Sequence, residues 1–474
     1  MATTDRRGQP RGRRGQPGGR RAGPRAIISS KNGARVRAGA ELSSAACGEL
    51  ASGTRVTLGG RVTLHDGTVR AEILSPVRGF VTERCLRAGP RPAATGRLWA
   101  ISDLHTDHAE NWDWLAKTLG GGRFRRDGLI VAGDVSSRLS VLRKTLELCA
   151  ASFASVAFVV GNHDLWKERG EAFASAAEKR EAIDRLCASL HVHTRPAYFS
   201  GCVVAPILSW HHQSWDTEPD VTGWENLPKA EQCMSDYYRC AFPGLDQGRT
   251  RERNSQLQSL LSRPFSTRLD MTDESVARFF DEANGPLSDD VAALRAAHPG
   301  APLVTCSHFV PRIELVPEKR FLYVPALNKA VGSRFLGDRV AELKPDVHVF
   351  GHTHFGWDAT HDGVRYLQPC LAYPSERRVR LTTVAAGDFP HAKGPLLVFD
   401  GSRFPARYVC GWSSFYEHNE RRPDVTHVVP DYVARAYKRV AGVGEVGWGD
   451  HVEMPAWRYG PSTAFDSRRV QTHA

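Results

Sequence analysis

The chain has 474 residues, of which 41% are apolar and 24% charged, a composition of the soluble globular class and a length that allows more than one folding unit. No run approaches the ~18 to 20 apolar residues of a membrane span, and the N-terminus lacks the apolar stretch of a signal peptide, so neither a spanning nor a secreted chain is expected. The net charge of +11 is local: residues 1 to 40 hold 11 Lys and Arg against Asp5 alone, which leaves 52 basic and 51 acidic residues for the remainder and gives no strong case for a nucleic-acid surface.

Residues 1 to 25, rich in Arg, Gly and Pro, have almost nothing apolar to bury and read as a disordered basic tail. A passive solvated tail is the simplest reading, with an organelle transit peptide or a weak patch for acidic surfaces as alternatives. The ten cysteines are scattered without close pairs, several inside apolar runs, as in an intracellular, cytoplasmic protein with reduced thiols.

From Arg55 the texture is β-rich. RVTL, a Gly59-Gly60 turn, RVTLH, an Asp66-Gly67 turn, TVRAEIL and GFVTE follow one another closely, and Gly-Gly and Asp-Gly connections favour hairpins because primed turns need positive φ at their centre. A small β-barrel over residues 26 to 88 is expected. Leu42-Ser43-Ser44, Gly48, Leu50, Gly53-Thr54 and Gly79-Phe80-Val81 resemble SH3-like modules, which implies a role in placement through a protein partner. AGPRPAATG, 88 to 96, reads as a linker.

Beyond residue 97 short apolar strands alternate with helical patterns. Strands are predicted at LWAIS (98 to 102), LIVAG (129 to 133), VAFVVG (156 to 161), VVAPIL (203 to 208), LVTCS (303 to 307), VHVFG (347 to 351) and LLVFD (396 to 400). Residues 139 to 150 and 171 to 190 have helical spacing, and Ser288 before Asp289 and Asp290 reads as a capped helix start. This alternation implies an α/β domain over 97 to 400 with active residues past the C-terminal strand ends, followed by an extension over 401 to 474.

Most of those strands end in residues that can bind a metal: Asp103 and His105, Asp134, Asn162 with His163 and Asp164, His308, then His352 and His354. Carboxylates, imidazoles and an amide oxygen suit Mn, Fe or Zn, and the lack of Cys disfavours a structural zinc site. A lone His is usually a satisfied core residue. A packed core has no reason to place such a set at successive strand ends.

The blocks SDLH (102 to 105), GD (133 to 134), GNHD (161 to 164), SH (307 to 308) and GHTH (351 to 354) occur in the order of the calcineurin-like metallophosphoesterase signature, which this chain resembles over roughly 97 to 400. The resemblance implies a four-layer α/β/β/α sandwich and a dinuclear metal centre that hydrolyses phosphomonoesters or phosphodiesters by direct attack of a bridging hydroxide. It implies Asp103, His105 and His354 on one ion, Asn162, His308 and His352 on the other, Asp134 between them, and His163 as the catalytic acid with Asp164 holding its ring. Within the same superfamily a nuclease is an alternative, and from another class a non-catalytic scaffold. GDVSSRL departs from the GDxxDRG of the Ser/Thr phosphatase branch, which puts a phosphate-gripping role for Arg138 in doubt. His211 and His212 are read equally as pocket or packing residues, and Trp210, Trp215 and Trp224 as loop packing or a lid.

Overall fold

The computed structural model describes residues 25–88, 96–242, 270–378, 384, 394–434 and 437–439. The tail 1 to 24 and most of the 88 to 96 linker therefore lie outside the described residues, as does the chain beyond 439. The chain divides into two compact units, Met1–Ala94 and Thr95–Ala474.

The first unit is a seven-stranded antiparallel sheet. Its strands are β1 (Arg25–Ile28), β2 (Ala34–Arg37), β3 (Ala46–Leu50), β4 (Arg55–Thr63), β5 (Val69–Ser75), β6 (Gly79–Thr82) and β7 (Leu86–Ala88), in the order β3-β2-β6-β5-β4-β1-β7. Alternating residues such as Val36, Val56, Ala71, Ile73 and Val81 form its small core. Asp66-Gly67 is the turn between β4 and β5: Gly67 has φ +80° and the Thr68 N–H donates to Asp66 Oδ1 at 2.9 Å. Gly59-Gly60 is not a turn. β4 runs straight through it, and the pairing steps from Leu58↔Ile73 to Arg61↔Ala71, so one extra residue is taken up as a bulge that glycine tolerates.

The second unit contains all seven predicted apolar strands. β8 (Leu98–Ile101), β9 (Gly128–Ala132) and β10 (Ser155–Val159) run parallel, joined through α1 (Ala109–Leu119) and α2 (Leu139–Ser152), and β18 (Leu396–Phe399) pairs antiparallel with β8. A six-stranded sheet has the order β11-β12-β14-β15-β17-β16, with β11 (Ala197–Phe199), β12 (Cys202–Pro206), β14 (Leu303–Cys306), β15 (Val347–Val349), β16 (Trp357–His361) and β17 (Val364–Gln368). β13 (Trp224–Glu225) and β19 (Lys438–Arg439) form a separate pair. Strands β8, β9, β12 and β14 are buried at every position, which is why they read as continuous apolar runs without alternation.

Between β10 and β11 lie α3 (Asn162–Leu165) and α4 (Ala176–Ser189). Ser175 caps α4, its side chain accepting from the Glu178 N–H. The helix expected at Ser288 spans Leu287–Ala297 and is preceded by Pro286, so Ser288 stands inside the first turn and donates to Glu342 Oε1 at 2.6 Å instead of capping. Trp412 and Phe415, on a helix over Gly411–His418, join the core of this unit, so residues past 400 are structurally part of it.

Candidate active site

The strand ends converge. Asp103 and His105 follow β8, Asp134 follows β9, Asn162 and His163 open α3 after β10, His308 follows β14, and His352 and His354 follow β15. Asp103, His105, Asp134, Asn162, His308 and His354 are buried, and His352 is partly exposed.

The backbone at this point is bent into a conformation that side chains resist. Asp103, His105, Asp134, His352 and His354 all have positive φ, between 41° and 76°. Such geometry costs of order 1–3 kcal/mol per residue and persists where the surroundings enforce it, typically at functional sites. Glycine is required beside them: a Cβ on Gly133, which has φ +81°, would meet the His308 ring at 2.4 Å, and one on Gly161 would meet Asp134 Oδ1 at 2.1 Å.

The donor atoms fall into two groups that share one residue. Asp103, His105, Asp134 and His354 offer ligand atoms within 4.8 Å of one another, and so do Asp134, His308 and His352. His354 Nε2 lies 3.4 Å from Asp103 Oδ1, and His308 Nε2 lies 3.3 Å from Asp134 Oδ2. Asn162 Oδ1 stands 3.0 Å from both His308 Nε2 and His352 Nδ1.

The outward nitrogens show which lone pairs face inward. His308 Nδ1 donates to Ala132 O at 3.0 Å and His352 Nε2 donates to Ala330 O at 3.0 Å, so His308 presents Nε2 and His352 presents Nδ1. His354 Nδ1 is held by Glu376 Oε2 at 2.5 Å and presents Nε2. As a result His105 Nε2 and His354 Nε2 face each other at 2.9 Å, and His308 Nε2 and His352 Nδ1 at 3.2 Å. Opposed imidazole nitrogens need a cation or a proton between them. In the metal-free chain protons supply it: burial opposes charge on His354, but Glu376 and Asp103 hold its pKa up to about 10, and against the same burial Asp134 holds that of His308 up to about 9. The same cluster of inward donors around buried carboxylates fits metal ions.

His163 sits at the edge of this cluster. Its Nε2 is 3.8 Å from Asp134 Oδ2 and 3.2 Å from Tyr373 Oη, and its ring lies on the Trp166 indole with centroids 3.5 Å apart. Burial, with the neighbouring His105, pulls its pKa well below the ordinary value. Asp164 does not hold this ring: its carboxylate accepts the backbone N–H groups of Asp134, Val135, Ser136 and Gly161, which fastens the β9 end to α3.

A cavity of about 220 Å³ opens over the site, lined by Asp134, Asn162, His163, His352 and His354 and by apolar residues including Val316, Leu322, Leu327, Val331 and Phe355. Tyr373, Glu376 and Trp166 also line it, and none of the three was singled out by the strand-end motif. His211 and His212 do not line it. His211 is fully buried against Asp236, and His212 Nε2 accepts the Arg334 N–H at 3.0 Å. Arg138 is a surface arginine at the start of α2, paired with Asp107 3.2 Å away, and Trp210 packs among Phe242, Phe280 and Phe309.

Buried carboxylates and imidazoles gathered past the ends of parallel strands define a metal-dependent hydrolase of the α/β class. Residues 96–356 match the Calcineurin-like phosphoesterase family, and the chain belongs to it; it is a metal-dependent phosphoester hydrolase. It is 27% identical over 294 residues to the acyl-carrier-protein phosphodiesterase PptH of Mycobacterium tuberculosis, a match that covers 60% of this chain and 80% of that protein. Among solved structures it is similar to phosphopantetheinyl hydrolase PptH from the same organism (24% identity, 60% of this chain and 92% of that one, TM-score 0.37). It is also similar to the protein TT1561 of Thermus thermophilus (11% identity, 58% and 89%, TM-score 0.30).

Proposed function

We propose that this chain is a dinuclear phosphodiesterase in which Asp103, His105 and His354 hold one ion, Asn162, His308 and His352 hold the other, and Asp134 contacts both. The observation that carries the reading is that Asp134 belongs to both groups of converging donors. The mixed oxygen and nitrogen donors suit Mn, Fe or Zn. When bound, such ions withdraw charge from phosphoryl oxygens and make water ionise near neutral pH.

The remaining work falls to the chain itself. His163, placed beside Asp134 but outside both donor groups, is held neutral in the ester-free chain by burial and by the neighbouring His105. The negative charge of a bound phosphoester raises its pKa again, and the ring then carries a proton to the departing oxygen. Tyr373 and the Trp166 indole fix its ring between them. The apolar wall of the cavity excludes water and receives the organic arm of the ester.

The wall also supports a diester over a monoester. Among the described residues no Lys or Arg lines the cavity, so nothing but the metal centre would balance a second phosphate charge or track a nucleic-acid strand. A singly charged diester with a neutral arm fits such a lining. The relative named for its action on acyl carrier protein suggests a protein-bound diester of that kind. We read the N-terminal sheet as an SH3-like placement module and the second unit as a four-layer sandwich.

With Mn²⁺, kcat/KM for bis-p-nitrophenyl phosphate should exceed that for p-nitrophenyl phosphate, and Asp134→Asn should lose most bound metal together with activity. A preference for the monoester would overturn the diester reading. Full activity of the variant with two ions retained would overturn the site.

A further inference from the structure

Asn162 carries an acceptor oxygen and a donor NH₂ on two arms of similar size, and only the oxygen can face a cation. In this structure the choice is made from behind. Asp236, fully buried on the short helix Asp236–Arg239, accepts the Asn162 Nδ2 group on its Oδ1 at 2.8 Å, which turns Asn162 Oδ1 toward His308 and His352. The same Oδ1 accepts the Trp166 indole N–H at 2.6 Å, and that indole is the surface on which His163 lies. Asp236 Oδ2 faces His211 Nε2 at 3.2 Å; because His211 Nδ1 has no hydrogen-bond partner among the described residues, the Nε2 carries the proton and donates.

Resting on the metal reading above, we propose that Asp236 is a positioning residue that fixes the Asn162 amide oxygen in the site and, through Trp166, the ring of His163. A flipped amide would set Asn162 Oδ1 against the Asp236 carboxylate in a buried space and turn N–H groups toward the cation site, two unfavourable arrangements at once. The residue comes from the long interval between β12 and β14, where no strand-end motif marks it. What the site requires of it is a hydrogen-bond acceptor of that size at that place. Asparagine can supply one, with its carbonyl toward Asn162 and Trp166 and its NH₂ toward His211, whose ring then takes the other tautomer and leaves its buried Nδ1–H without a partner, a cost to stability and not to the Asn162 contact. Leucine, of similar shape, cannot.

The test is Mn²⁺ binding to metal-free protein, followed by the electron paramagnetic resonance of free Mn²⁺. The wild-type chain should bind two ions. Asp236→Leu should weaken one of them at least tenfold, the usual effect of removing a partner that orients a ligand, and Asp236→Asn should stay within about threefold of wild type. Wild-type affinity at both sites in Asp236→Leu overturns the proposal, as does an equal loss in Asp236→Asn, which would make charge and not acceptance the requirement. A wild-type chain that binds no Mn²⁺ overturns the metal reading and this proposal with it.

A second arm uses no metal and does not depend on the leucine variant folding. Asn162→Asp alone would press two buried carboxylates together at the present 2.8 Å contact and should lower the Tm of the metal-free protein by roughly 5 °C or more. Adding Asp236→Asn leaves one carboxylate in the pair instead of two, so part of that loss should return even though one atom of the amide cannot serve both position 162 and the Trp166 indole N–H. No recovery in the exchanged pair overturns the contact on which the proposal stands, whatever the metal data show.

Discussion

Replacing His163 by alanine separates proton delivery from metal binding. None of its ring atoms belongs to either donor group, while its Nε2 stands 3.8 Å from Asp134 Oδ2 at the cavity wall. A placed side chain that transfers a proton is typically worth ~10²- to 10⁴-fold in rate, about 3 to 5 kcal/mol of barrier. That benefit exists only where the departing oxygen needs the proton. An alkoxide, with a conjugate acid of pKa about 15, depends on it; p-nitrophenolate, at about 7, leaves almost unaided. For the alanine variant, kcat on a dialkyl phosphodiester should therefore fall ~10²-fold or more, while turnover of a p-nitrophenyl diester changes less than about tenfold. The assay is kcat on both esters with Mn²⁺, with metal content measured on the same samples by plasma emission. Equal losses for the two leaving groups would refute the proton role, and a lost ion would place His163 among the ligands.

Glu376→Gln removes the charged acceptor that holds His354 Nδ1 at 2.5 Å, and Mn²⁺ affinity should drop about tenfold or more; an unchanged binding isotherm would mean that the carboxylate does not set the ring. His348 is buried between the Thr305 and Ser307 hydroxyls, and burial holds its pKa down to about 3. The unfolded chain therefore takes up more protons below about pH 6.5, so the contribution of His348 to stability is lost as pH falls from there toward 3, reaching roughly 2 kcal/mol by pH 5. Urea unfolding should show the stability difference between wild type and His348→Gln narrowing by that amount from pH 7 to pH 5, and a constant difference would contradict it. A chain beginning at Ala93 should fold and turn over a small synthetic diester, and aggregation or lost turnover would show that earlier residues complete the catalytic unit.

The parts of the second unit that the sequence made legible are those where one physical constraint acts on consecutive residues. β8, β9, β12 and β14 are buried on both faces, so their residues form unbroken apolar runs, and the polar residues that end them stand out. That contrast exposed Asp103, Asp134 and His308 after β8, β9 and β14, and likewise Asn162 and His352 after the apolar β10 and β15, all of which the structure brings to one place. Asp236, Tyr373 and Glu376 follow no apolar strand run; each acts on a partner far away in sequence, as Asp236 does on Asn162, and no local pattern marks that. Gly59-Gly60 misled because a pair of glycines serves a bulge as well as a turn, and only the register across β5 distinguishes them. The β16–β17 hairpin, in contrast, carries a readable Asp362-Gly363 signal, both residues with positive φ.

Strain and charge at the site point the same way. Of eleven non-glycine residues with positive φ among those described, five are Asp103, His105, Asp134, His352 and His354. Asp103 and Asp134 are 0% and 1% exposed, and among the described residues their ion pairs are all with histidines of the same cluster, not with Lys or Arg. A cluster whose purpose was stability would relax the backbone and pair its carboxylates with fixed cations, because buried charge without a partner and left-handed side-chain residues both oppose folding. Here the fold holds both, and one nitrogen of each of His308, His352 and His354 is tied outward by Ala132 O, Ala330 O or Glu376, so that the other nitrogen of the ring points in. The arrangement is therefore one that a bound cation would stabilise, and the fold around it sets where that cation's charge would meet a phosphoester.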